Sequence, residues 1–247
     1  MVRLNDRLRH ALATLLPAGC ALCGAAVPED PVCAECAGDL PLPVSPCCPQ
    51  CAEATTDHTL CARCLAAPPA FDATVAAWPY AFPVDHLIQA LKFRRQLTLA
   101  PWFAAQLQTL IGHGSHLIDA VVPMPLHRQR LADRGFNQSY EIARPLARWL
   151  DRPLLADACR RIRETSHQTS LDRSERQHNL ADAFTCSEAV RDRSILLVDD
   201  VMTTGASAHA VALALRRAGA SRVLVAVVAR AHRRPEDTSS TAARHTE

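Results

Sequence analysis

Lysine is almost missing from this chain. Lys92 is the sole lysine among 247 residues, and arginine carries the rest of the basic charge. Such a bias reflects coding composition as readily as chemistry, but it marks Lys92 as a position where arginine did not take over. Two readings of it stand: a functional cation, or the first charge of a solvated basic patch with Arg94 and Arg95. Aromatic residues are also scarce, at 4%, which argues against a base-stacking platform for single-stranded nucleic acid. No apolar run approaches the roughly 18–20 residues that span a bilayer. No G-x-x-x-x-G-K-[ST] loop occurs, which excludes a P-loop nucleotide hydrolase. Strong charge of one sign is absent too, with a net charge of +2 and a pI near 8.1, so nothing in the balance demands a nucleic-acid partner. The first 20 residues hold leucines and basic residues, but Arg7, Arg9 and His10 break any continuous apolar core, so they do not read as a signal peptide. Leu4, Leu8, Leu12 and Leu15 or Leu16 fall on one helical face, which predicts a short amphipathic helix. A cytoplasmic location is expected.

Cysteine is the opposite case. There are 11, and eight of them form four C-x-x-C pairs: Cys20/Cys23, Cys33/Cys36, Cys48/Cys51 and Cys61/Cys64. The pattern is an internal repeat of C-x2-C-x9-C-x2-C. Each pair can form a knuckle whose two thiolates reach one metal, and two knuckles complete a closed tetrahedral zinc site. Sequential pairing gives two zinc ribbons, while cross-braced pairing or a single occupied site stays open on spacing alone. Cys47 adjoins Cys48 but breaks the two-residue spacing. Cys159 and Cys186 lie far from the repeat and read as buried free thiols. A closed four-thiolate site has no open coordination position, so this zinc folds the segment rather than catalysing anything.

The remaining chain alternates in type. Leu65–Phe71 is a proline-marked linker. Thr74–Tyr80 reads as a strand, and Val84–Phe93 and Trp102–Ile111 as helices. Ala120–Val122 is a short buried strand, Tyr140–Leu150 a helix, and Leu154–Ile162 contains a strand. The polar stretch Glu164–Leu180 has no core pattern. Ile195–Val198, Ser207–Ala218 and Val223–Val228 then read as strand, helix and strand. Such alternation predicts an α/β fold, a parallel doubly wound sheet, preceded by a small cysteine-rich module. The expected division is 1–68, 69–232 and a polar tail from 233. Ligands of such sheets bind beyond the C-terminal strand ends.

One run sits at that edge: Ile195–Ser207, ILLVDDVMTTGAS. Four apolar residues end in two adjacent carboxylates, and a hydroxyl- and glycine-bearing turn leads into a helix. Free N–H groups and the helix dipole favour a phosphate at the turn. The carboxylates would repel it, so they suit hydroxyl groups or a metal carried by the same ligand. A sugar phosphate satisfies both halves. A response-regulator receiver, whose strand also ends in an acidic pair, needs a lysine further on, and none follows Asp200.

This run resembles the phosphoribosyl pyrophosphate (PRPP) motif of type I phosphoribosyltransferases. Together with LKF around Lys92, VPMPLHRQR, RGFNQS and the cysteine-rich N-terminus, it makes the chain similar to the ComF family of competence-associated, phosphoribosyltransferase-like proteins, especially its GntX-like branch. The resemblance implies that Asp199 and Asp200 face the ribose and that Thr203, Thr204, Gly205, Ala206 and Ser207 surround the 5′-phosphate. It implies magnesium bound with PRPP, and pyrophosphate seated on the loop after Val122, where Met124, Leu126 and His127 keep an N–H that Pro123 and Pro125 lack. Arg134 pairs with phosphate on this reading, while Asn137 is either a ligand contact or an N-cap. Arg163, Gln168, Arg173, Arg176 and Asn179 belong to the region where relatives carry a loop that closes over PRPP. Asp199, Asp200 and Arg134 are the expected catalytic residues, with Lys92, Arg163 and Arg176 among the PRPP contacts. The acceptor is unidentified. Its hood is expected from the zinc module with Thr74–Ile111. The family's link to competence also raises a second role, a PRPP-sensing or single-stranded-DNA-handling adaptor among DNA-uptake proteins.

Overall fold

The computed structural model describes residues 18–27, 30–162 and 183–232. The expected N-terminal amphipathic helix, the polar stretch with Arg163, Gln168, Arg173, Arg176 and Asn179, and the tail from 233 all lie outside the described residues.

In chain order the elements begin with a small hairpin, β1 (Ala18–Gly19) and β2 (Ala26–Val27), and two one-turn helices, α1 (Ala34–Gly38) and α2 (Ala62–Ala66). There follow β3 (Ala73–Pro79), α3 (Val84–Arg94), α4 (Leu99–Ile111), β4 (Ala120–Pro123), α5 (Arg128–Arg134), α6 (Gln138–Trp149), β5 (Cys159–Arg161) and β6 (Phe184–Cys186). The chain then forms β7 (Ser194–Met202), α7 (Ala206–Arg217) and β8 (Arg222–Arg230). The central sheet has the order β3-β8-β7-β4, with every neighbouring pair parallel. This is the doubly wound arrangement that the alternation predicts.

Side chains alternate across a strand, so each strand feeds two cores. Leu196, Val198, Ala226 and Val228 pack with α3, α4 and α6 on one face. Ile195, Leu197, Val225 and Val227 pack with α7 on the other. The cysteine module splits between them. Cys20, Val27, Val32 and Leu40 join the first core, and Cys48, Cys51 and Cys64 join the second.

Five expectations need correction. Strand β7 does not stop at Val198 but continues through both aspartates to Met202, because β8 is equally long and pairs Asp199 with Val227 and Met202 with Arg230. The strand expected in Leu154–Ile162 is real, but β5 pairs antiparallel with β6, outside the central sheet. That hairpin places Cys159 opposite Cys186, Cα atoms 4.2 Å apart, and the two form a disulfide rather than free thiols. Thr74–Ile111 does not form a hood: β3 is an edge strand of the sheet, and α3 and α4 are buried against it. The proline-marked linker is also packed, since Phe71 is buried and its carbonyl accepts from Gln50 Nε2 at 3.0 Å.

Candidate functional site

The carboxyl ends of β4 and β7 open into one cleft. Its lining includes Lys92, Met124, Arg134, Asp199, Asp200 and Ser207, all expected from the sequence, together with Gln138, Arg130, Arg161 and Phe184. A second recess beside it runs along the whole turn Thr203–Ser207, with Asp199 shared between the two.

Strand alternation sends the two carboxylates to opposite faces. Asp200 follows Leu196 and Val198 toward α3, where Lys92 Nζ forms an ion pair with its Oδ2. Both side chains are largely buried, at 19% and 6% exposure. Lys92 is therefore a buried, paired cation and not the first charge of a solvated patch with Arg94 and Arg95. Asp199 turns the other way. Its Oδ1 accepts from Ser139 Oγ at 2.8 Å and from the Asp200 N–H at 2.9 Å. Burial, reinforced by the neighbouring Asp200 charge, pushes the Asp199 carboxyl well above the usual carboxylate range, and the Ser139 bond only partly offsets this.

That shift has a consequence for stability. As pH rises through the ordinary carboxylate range, the unfolded chain loses this proton while the folded chain keeps it. Asp199 therefore lowers stability progressively, from the unfolded pKa up to the raised folded one. Asp199→Asn keeps an Oδ1 acceptor for both hydrogen bonds and removes the charge. It should stabilise the protein at neutral pH, read as a raised Tm, and the gain should vanish toward pH 3. Thermal melts of wild type and variant across pH check this, and an Asn variant less stable at pH 7 would contradict it.

The turn after β7 is built for an anion. Thr203, Thr204 and Ser207 are exposed. Gly205 has φ +78°, the left-handed conformation that glycine adopts without strain. The N–H groups of Thr203, Thr204, Gly205 and Ser207 make no hydrogen bond among the described residues, whereas the Ala206 N–H donates to Thr204 Oγ1 at 3.3 Å. Four N–H groups thus gather at the N-terminus of the 12-residue α7, where the helix dipole adds to them.

The loop after β4 is only partly as expected. The Met124 N–H donates to Val198 O at 2.8 Å, so it extends the sheet and is not available to an anion. His127 caps α5, its Nδ1 accepting from the Gln129 N–H. Leu126 keeps its N–H at the cleft wall. Asn137 is the N-cap of α6, accepting from the Ser139 N–H at 3.0 Å, and its side-chain amide also donates to Met124 O at 3.0 Å. It clamps the loop to the helix rather than facing a ligand. Arg134 donates to Gln138 Oε1 and lies over the Phe93 ring, 5.4 Å from its centroid. Gly135, at φ +82°, leaves the room that Arg95 Nη2 occupies, since a Cβ would meet it at 2.8 Å. Ser139, Arg130 and Arg161 were not singled out from the sequence. Ser139 lies inside the quoted RGFNQS, but no local signal points it at a carboxylate 60 positions away.

The cysteines form two groups in chain order: Cys20, Cys23, Cys33 and Cys36, then Cys48, Cys51, Cys61 and Cys64, with the sulfurs of each group within 4.8 Å of one another. Sequential pairing is thus the observed one, and Cys47 belongs to neither group. Tetrahedral zinc with Zn–S of about 2.3 Å requires sulfurs about 3.8 Å apart; Cys23 and Cys33 lie at 3.7 Å, and Cys51 and Cys61 at 3.6 Å. Burial opposes ionisation of Cys20 and Cys48, but backbone N–H groups outweigh it and bring the thiols to about 6 and about 7. The residues therefore suit a structural zinc in each group. Against the site itself, the second ribbon is close: Arg63, between Cys61 and Cys64, donates to Thr204 O at 2.7 Å.

Comparison with known proteins places these features together. Residues 137–246 match the phosphoribosyl transferase domain family, and residues 11–65 match the double zinc ribbon domain family. The DNA utilization protein YhgH of Escherichia coli (strain K12) is 39% identical over 184 residues, covering 72% of this chain and 81% of that protein. Competence protein F of Haemophilus influenzae is 33% identical over 179 residues, covering 69% and 78%. Competence protein ComFC of Bacillus subtilis is 26% identical over 201 residues, covering 78% and 80%.

Proposed function

The chain belongs to the ComF family of DNA utilization and competence proteins, in which a double zinc ribbon precedes a phosphoribosyl transferase domain, and on that premise we propose that the cleft at the end of β7 binds PRPP with magnesium and transfers its phosphoribosyl group. The observation that carries this reading is the junction of two opposite chemistries within nine residues. An acidic pair, one member ion-paired with Lys92 and the other held by Ser139, adjoins four N–H groups without acceptors among the described residues at a helix N-terminus.

Asp199 and Asp200 then receive the ribose hydroxyls, and Thr203–Ser207 hold the 5′-phosphate. The pyrophosphate lies toward Arg130, Arg134, Arg161 and the Leu126 N–H, which share the cleft wall. Magnesium carried with PRPP would neutralise part of the pyrophosphate charge. In the transfer step the bond between ribose C1 and the pyrophosphate oxygen breaks, and its electron pair leaves with pyrophosphate. The acceptor nucleophile forms the new C1 bond and loses its proton. Positive charge grows on the sugar meanwhile, so holding the sugar and stabilising the departing anion are the protein's contributions. The acceptor's identity is not encoded in these residues.

PRPP with magnesium should raise the melting temperature in proportion to the logarithm of its concentration, ribose 5-phosphate should do so less, and pyrophosphate should appear on addition of the right acceptor pool. A melting temperature indifferent to PRPP contradicts the binding reading.

A second reading is favoured by one observation. Phe93 is 71% exposed beside Arg134 and Arg95 at the cleft rim, and relatives are named for DNA utilization and competence. A basic rim with one aromatic face suits a single strand, which makes the protein a PRPP-responsive adaptor. Salt-dependent binding of an oligonucleotide, lost in Phe93→Ala, favours it.

A further inference from the structure

The largest fully buried side chain among the described residues is Arg230, at 1% exposure. It ends β8, where an apolar residue would be ordinary, and neither the sheet nor the reaction explains it. Its guanidinium donates to the carbonyls of Met202 at 3.2 Å and of Thr203, both at the start of the anion-binding turn. The same group donates to Cys51 O at 2.9 Å and pairs with Glu53 Oε2 at 2.7 Å. Both residues belong to the second zinc ribbon, and Glu53 O in turn accepts from the Cys48 N–H at 2.7 Å. Arg63, two residues past Cys61 in the other knuckle of that ribbon, takes the next carbonyl, Thr204 O. Three consecutive carbonyls of the turn are thus held by two arginines tied to one four-cysteine group, the Met202 carbonyl accepting from the Ala231 N–H at 2.9 Å as well.

In a trans peptide the C=O and the following N–H point in opposite directions. Carbonyls 202, 203 and 204 held on the ribbon side therefore aim the N–H groups of Thr203, Thr204 and Gly205 to the other side, and these are the groups left without partners. The first ribbon makes no such contact among the described residues. It packs on the opposite face of the sheet.

We infer that the second zinc ribbon is a positioning element of the anion-binding turn. Arg63 and Arg230 act as positioning residues that transmit its folded, metal-held state to the N–H groups of residues 203–205. The two ribbons are then not equivalent: the second is coupled to ligand affinity and the first is not. This rests on the PRPP reading of the turn. In plain terms, a ligand lost from the second four-cysteine group loosens the phosphate cradle, and one lost from the first does not.

The test uses the full zinc-loaded chain, backbone 15N relaxation, and titration with PRPP and magnesium. Arg63 is partly exposed, so Arg63→Ala should fold. It should lower the N–H order parameters of residues 203–205 and weaken PRPP binding about tenfold, the worth of one hydrogen bond from a charged donor, and Arg63→Lys should recover part of both. Cys61→Ser should lower the order parameters at 203–205, whereas Cys33→Ser should lower them only within 19–38. Unchanged order parameters at 203–205 in both Arg63→Ala and Cys61→Ser overturn the inference, as does equal loosening from Cys33→Ser. A wild type that ignores PRPP while its order parameters respond as described overturns the PRPP reading and leaves the coupling standing.

Discussion

Lys92→Met will destabilise the fold by about 3–5 kcal/mol, and adding Asp200→Asn will return most of that loss. The reason is an asymmetry of buried charge. Removing one member of a buried pair strands the other without its partner and without water, which costs far more than the pair itself contributes. Here Asp200 is 6% exposed and Lys92 only 19%. The aspartate lies inside β7, which runs on beside β8 to Met202, so its carboxyl cannot reach solvent without disturbing the strand. Methionine keeps the apolar stem of Lys92 and its contacts in α3, leaving charge as the variable. Urea unfolding followed by the fluorescence of Trp78 and Trp102, which stack 5.4 Å apart in the same core, reads the cycle. A Lys92→Met protein within about 1 kcal/mol of wild type, or a double variant no better than the single, contradicts the assignment.

A strong chelator at neutral pH will release two zinc ions per chain and unfold residues 18–66. Few residues of that segment are buried other than the cysteines themselves, notably Val27, Val32, Leu40 and Ala52, which is too small an apolar core to offset chain entropy. Structural zinc supplies about 10–16 kcal/mol in such modules, so its removal is not absorbed by local rearrangement. The sheet core carries its own helices on both faces and should keep its far-ultraviolet signal. Stoichiometry from a chromogenic chelator, with the circular dichroism recorded before and after, checks both parts. One ion per chain would contradict the two separate groups, and none would contradict the metal account.

Much of this was legible in the sequence, for identifiable reasons. The zinc ligands follow from spacing, because a knuckle is a local object, and only the pairing of knuckles needed the fold. The central strands follow from apolar runs, since parallel strands buried on both faces carry no polar alternation. The acidic pair was legible as chemistry but not as structure. Two carboxylates look like a strand end, yet β7 continues because Lys92 and Ser139, 108 and 60 positions away in the chain, meet their charge. No periodicity encodes such a contact. Arg230 was missed for the same reason: it follows an apolar run and looks like the first residue of a loop, while its partners Cys51 and Glu53 lie almost 180 residues earlier. The Cys159–Cys186 disulfide depends on a hairpin that closes across 27 positions. The Met124 amide looked available because its neighbours are prolines, but the sheet extends one hydrogen bond further than the strand pattern.

The central claim is that one cleft reads both ends of a phosphoribosyl group, the hydroxyls through Asp199 and Asp200 and the phosphate through Thr203–Ser207. The most direct measurement is a calorimetric titration of PRPP and magnesium into wild type and into the Asp199→Asn, Asp200→Asn double variant. The two substitutions nearly preserve side-chain volume, and a thermal melt checks that the variant, in which Asp200→Asn leaves Lys92 unpaired, is folded at the titration temperature. The account predicts saturable binding with one site per wild-type chain and none in the variant under the same conditions. Equal binding by the two proteins, or none by either, would contradict it.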